Sequence, residues 1–154
     1  MEEENPFKIS SASIGPAAAA IADQQRVLDR QRLVVSIEEE GLRCKTLMAT
    51  LRKKCASKGY MAVPEDDRKN LKLGVLEGSI IEHRTTCQDV VEQCLAAKLE
   101  DAGDPCQPAR QLLEESKVKM LLWEQEIQRI DEVVRLIQFI LCVQVVSVTL
   151  VCVC

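Results

Sequence analysis

The chain has 154 residues, 47% apolar and 29% charged, with four aromatic side chains; the length fits one domain, and the charge is too balanced for a wholly disordered chain. Six glycines and five prolines are too few for a loop-rich β-sandwich. A net charge of −4 argues against a nucleic-acid partner.

Residues 1–15 read as a disordered lead: a Glu-rich start, then Ser10, Ser11, Ser13 and Gly15-Pro16, with no apolar periodicity. The lead lacks the apolar segment of a signal peptide, and no Asn-x-Ser/Thr sequon follows. The eight cysteines are therefore expected as thiols in a reducing compartment. Within the lead, Asn5-Pro6-Phe7 resembles the short ligand of EH-domain endocytic adaptors, with an Asn-Pro turn presenting the Phe. The competing reading is an incidental tripeptide.

A first helix is predicted over about 17–58, with Pro16 near its first turn, where a missing N–H costs little. Its apolar stripe runs Ala20, Val27, Val34, Ile37, Cys44, Met48, Leu51 and Cys55 in alternating steps of three and four. Such spacing is a coiled-coil seam more than a simple 3.6-residue face. The cations Arg52, Lys53, Lys54 and Lys58 complement the negative end of that helix, and Gly59 stops it. The same cluster is also a candidate contact for an acidic partner, a tubulin tail or anionic lipid.

Pro64 opens a second helix, predicted over 65–100, with Glu65, Asp66 and Asp67 facing the positive end of its dipole. Its seam is Leu73, Leu76, Ile80, His83, Cys87, Val90, Cys94 and Ala97, and Gly103 and Pro105 mark the stop. A third helix is predicted over 108–141, with the seam Leu113, Ser116, Met120, Trp123, Ile127, Ile130, Val134, Ile137 and Leu141. Short connections make neighbouring helices antiparallel, so residues 16–141 are expected to form an up-down-up three-helix bundle or coiled coil, about 50–60 Å long. The fold class is all-α.

No charge occurs after Arg135. Leu136–Cys154 is 19 residues, twelve of them Leu, Ile, Val or Phe, which meets the length test for a membrane span. It is a candidate tail anchor that would leave the helices on the cytosolic side, with Cys142, Cys152 and Cys154 as candidate lipidation sites. Three other readings compete: a continuation of the bundle core, a strand-like aggregation-prone end, and a variant terminus with no evolved role. Cys-x-Cys at the end also resembles the prenylated terminus of Rab-type GTPases, but no phosphate-binding loop supports that resemblance. SNARE-like proteins combine a bundle with a tail anchor, yet no separate fusion helix with a central Gln or Arg layer is found.

Catalytic chemistry is sparse. One histidine among eight cysteines offers little for nucleophilic catalysis, and no Cys-x-x-Cys pair suggests zinc. His83 and Cys87 are one helical turn apart, which allows a Cys–His pair, although a buried polar residue that sets helix register is the commoner outcome. No catalytic residue, metal or cofactor is expected. The expected function is a non-enzymatic scaffold subunit of a cytoplasmic or cytoskeletal complex, binding other helical proteins or its own copies. The residues expected to meet partners, if the bundle is open, are Ile37, Leu51, Leu73, Ile80, Met120, Trp123, Ile127 and Ile130. The alternatives are a tail-anchored tether or trafficking adaptor and, more remotely, a thiol redox protein.

Overall fold

A computed structural model describes residues 11–98 and 106–153, with no strand among them. Five helices follow in order: α1 (Ser11–Cys55), α2 (Lys58–Met61), α3 (Glu65–Asn70), α4 (Leu73–Ala96) and α5 (Gln107–Val153). The all-α class is as expected; the helix limits differ in four places, each with a local cause.

At the start, α1 reaches back to Ser11, so the end of the expected disordered lead is helical and Pro16 lies inside the helix. The first ten residues, with Asn5-Pro6-Phe7, lie outside the described residues. In the middle, the expected 65–100 helix is split. Leu71 and Leu73 are both buried, yet two positions apart on one helix they would point about 200° apart. Lys72 resolves this by taking φ 54°, the left-handed region, at roughly 1–2 kcal/mol for a side-chain-bearing residue. Next, α4 stops at Ala96 because Ala97 turns extended, and its carbonyl accepts a 2.8 Å hydrogen bond from Arg30 Nη1 of α1. Last, α5 runs unbroken from Gln107 to Val153, so the segment after Leu141 is helical and the strand-like reading of that end does not hold.

Four contacts fix the topology. Arg52 meets Glu77 near one end of the α1–α4 pair, and Arg30 meets Ala97 near the other, so the two helices are antiparallel. Lys54–Asp131 and Arg43–Glu124 run α5 parallel to α1. The result is the expected up-down-up bundle, but α4 sets its height: 24 residues, about 36 Å. With 45 and 47 residues, α1 and α5 outrun it in opposite directions.

The core has two apolar blocks. One holds Cys44, Met48, Leu51, Leu71, Leu73, Leu76, Ile80, Met120, Ile127 and Ile130. The other holds Val34, Ile37, Cys87, Cys94, Cys106, Ala109 and Leu112. Along each of the three long helices a polar residue separates them: Glu40 on α1, His83 on α4 and Ser116 on α5.

Candidate functional site

Those three side chains form a polar layer across the bundle, with His83 and Ser116 buried and Glu40 half-buried. Ser116 Oγ donates to Glu40 Oε2 at 2.7 Å and lies 2.9 Å from His83 Nε2. The carboxylate takes the single hydroxyl proton, so His83 must donate from Nε2–H to Ser116 Oγ. His83 is therefore the neutral Nε2–H tautomer, and its Nδ1 is buried without a partner. Trp123 stacks edge-on against the imidazole, ring centroids 5.4 Å apart, and Cys87 Sγ lies 3.8 Å from Nε2. Glu40 is held in turn by Arg43 Nη1 at 3.1 Å.

The order of donors decides what this layer can do. A nucleophilic serine needs its proton aimed at the histidine, with the carboxylate on the far ring nitrogen. Here the carboxylate is on the serine and the far nitrogen is bare. Such a layer fixes the register of three helices, because a one-turn slip would bury three unpaired polar groups.

Burial, then the nearby Lys119 cation, hold the His83 pKa below its ordinary 6.5, against the opposing pull of Glu40 and Glu115. Above pH 6.5 both folded and unfolded chains carry a neutral imidazole and the group contributes nothing. As pH falls below 6.5 the unfolded chain takes up a proton that the folded one resists, so stability drops. Between pH 7 and 5 the wild-type chain is expected to lose more stability in urea titrations than His83→Gln, whose amide can still donate to Ser116. Equal losses would contradict this assignment.

Four of the thiols are quiet. Desolvation, with Cys87 and Glu40 adding to it, pushes the Cys44 pKa up to about 11. Burial also raises Cys55, Cys87 and Cys106. A thiolate is the reactive form, so these groups are poor nucleophiles at neutral pH. Cys94 and Cys106 sulfurs approach to 3.7 Å across the α4–α5 connection, and no disulfide joins the described cysteines. No group of three or more His, Cys, Asp or Glu side chains is placed to hold a metal among the described residues.

The residues expected to meet partners are largely occupied within the chain. Ile37, Leu51, Leu73, Ile80, Met120, Ile127 and Ile130 are buried in the two core blocks, and Trp123 is half-buried over His83. They are core because the seams of α1, α4 and α5 cover one another in this closed bundle, whereas their expected role with partners requires an open one. The third seam is shifted at its start: Leu112 is buried and Leu113 only half-buried.

What remains uncovered lies at the two ends. Beyond Arg30, the start of α1 projects with Ile21 67% exposed and Leu28 46% exposed. At the opposite end every described residue from Cys142 onward is exposed, including Val145, Val146, Val148, Leu150 and Val151. Among the described residues, α5 is the one helix long and apolar enough to cross a bilayer, and none of its apolar window is buried. Cys142 and Cys152 are exposed on it; Cys154 lies outside the described residues. Two cavities add to this. One of about 610 Å³ runs between α1 and α4, with Ile37, Gly41, Leu42, Arg84, Cys87 and Val91 in its wall. A basic one at the α2–α3 corner has no counterpart in the sequence reading, which grouped only Arg52, Lys53, Lys54 and Lys58. The signal missed was the Leu71–Leu73 spacing, which breaks the helix and brings Arg68 and Lys72 around one hollow.

No protein-family model, curated protein or solved structure matches the chain.

Proposed function

We propose that the chain is a non-catalytic helical interaction subunit, in which a closed bundle holds two projecting helices for partners to cover. The observation that carries this is the mismatch in helix length: α1 and α5 extend past α4 in opposite directions with apolar side chains exposed. An isolated helix with an uncovered seam is marginal in water, so its stability is completed by another helix. On the α1 projection the stripe through Ala20 and Val27, with Ile21 and Leu28 beside it, fits a partner helix in a cytoplasmic assembly. The raised thiols of Cys44, Cys55, Cys87 and Cys106 and a polar layer with the wrong donor order support a role in adhesion over one in turnover.

A photo-crosslinking residue at Ile21 or Leu28 in the full chain is expected to give discrete protein adducts in cells, whereas one at exposed Arg32 gives few. Equal labelling at all three positions would remove the docking role of this projection.

The end of α5 favours a second reading, a membrane tether. A seam for a partner helix is apolar on one side and polar on the other. From Cys142 to Val153 the only polar interruptions are Gln144, Ser147 and Thr149, and both hydroxyls donate to their own helix, to Val143 and Val145 carbonyls. Such a surface suits lipid on all sides, with acylation of Cys142 or Cys152 as reinforcement.

A further inference from the structure

The apolar end of α5 leaves the bundle at a basic corner. Residues 52–72 carry seven Lys or Arg against three acids, in a chain whose net charge is −4. Lys54 pairs with Asp131 of α5, and Gly59 of α2 lies directly under Gln138, seven residues or about 10 Å further along the same helix. One turn beyond Gln138 the fully exposed segment begins. The loop carrying α2 and α3 therefore forms a one-sided collar, seated on α5 through α2, where the apolar segment starts.

Within the collar a cavity of about 330 Å³ is lined by Tyr60, Glu65, Arg68, Lys69, Lys72 and Leu73. Its one acid, Glu65, is 3.5 Å from Lys69. Arg68 has no carboxylate partner among the described residues: its Nη1 reaches only Met61 Sδ at 3.7 Å, and its Nε is buried without a hydrogen bond. Lys72 has no ion pair among the described residues either, and it holds a left-handed φ of 54° that glycine would adopt without strain. An unfilled guanidinium fork and a lysine kept at a glycine-like position thus share one hollow. The guanidinium plane matches phosphate oxygens in pairs, and lysines add point charges.

We propose that this cavity binds the phosphate of an anionic phospholipid headgroup through Arg68, Lys69 and Lys72, while exposed Lys53 and Lys58 face the surrounding leaflet. The lipid source rests on the tether reading, since the apolar end of α5 would hold the collar at headgroup depth. Headgroup capture then orients the bundle on the bilayer and selects a negatively charged leaflet.

The test places the full chain in vesicles of phosphatidylcholine alone, or with phosphatidylserine added, and follows amide exchange across residues 58–74. Slower exchange is expected only with phosphatidylserine. Arg68→Gln and Lys72→Gly should each reduce that protection about fivefold, the loss of one cation near the surface. Lys72→Gly also relieves the backbone, so a merely structural role predicts unchanged or greater protection in that variant. Equal exchange in both vesicles overturns the proposal, and so does equal protection from inorganic phosphate in phosphatidylcholine, which would make free phosphate the ligand. A chain that stays out of phosphatidylcholine vesicles sinks the tether reading alone. Exchange with added anionic vesicles then still decides the site, for it if protection depends on Lys72 and against it if none appears.

Discussion

Ending the chain after Leu141 is expected to release it from bilayers while leaving the bundle folded. The residues removed include Leu150 and six valines, none of which touches the core. Over the full run from Leu136, twelve strongly apolar residues give roughly −4 to −7 kcal/mol of insertion free energy, partly offset by two glutamines. The six residues of the run that remain are far short of the roughly 20 that a span needs. Carbonate extraction of full-length and shortened chains checks the first half of the expectation, and far-UV circular dichroism with urea titration checks the second. A harder test separates lipid from a partner helix. Arginine at Val145, Val146 or Val148 samples three different directions around α5, since successive residues are about 100° apart. In lipid each substitution costs about 3 kcal/mol, because every face meets hydrocarbon. Against a partner helix only the substitution on the buried side is costly. Three comparable losses of extraction-resistant protein support the tether; one large loss and two small ones support helix pairing.

The parts of the fold that follow from repetition were legible in the sequence. Seams with alternating steps of three and four located all three long helices, and the shortness of their connections gave the antiparallel order. The seam of α5 was legible down to single residues, Ser116 and Met120 through Ile127 and Ile130. His83 was legible as a buried register residue because it occupies a seam position. Glu40 was not, since it lies off the stripe of α1 and enters the layer only through a long side chain that reaches Ser116 from another helix. The break at Lys72 was invisible to periodicity, because Leu73 continues one seam while Leu71 belongs to the preceding turn. That single left-handed residue shortened the bundle, created α3 and assembled the basic hollow. Seam residues were also assigned outward, to partners, because a sequence gives the apolar edge of a helix without stating which helix covers it.

Ile80→Ala and Leu51→Ala are each expected to destabilise the isolated chain by about 2–5 kcal/mol, the range for emptying a well-packed aliphatic site. Ile80 is 0% exposed and Leu51 2% exposed, and both belong to the core block between the polar layer and the basic corner. If the seams closed on partners instead of one another, the same variants would leave the isolated chain unchanged and weaken only a complex. Urea unfolding of the purified chain therefore distinguishes the two arrangements with no partner present. A fall in the midpoint at unchanged slope places the loss in the folded core. The control is Leu122→Ala, on the same bundle but 56% exposed, where the expected change is within about 0.5 kcal/mol. Ser116→Ala adds a third comparison. It strands His83 Nε2–H and one oxygen of Glu40, so a cost of about 1–3 kcal/mol is expected even though only one oxygen atom is removed. Pairing it with His83→Leu should recover most of that cost, since removing both partners leaves fewer buried groups unsatisfied. A double variant that regained stability yet populated shifted helix registers would identify the layer as the device that selects one alignment of α1, α4 and α5, and hence the direction in which the two uncovered helix ends project.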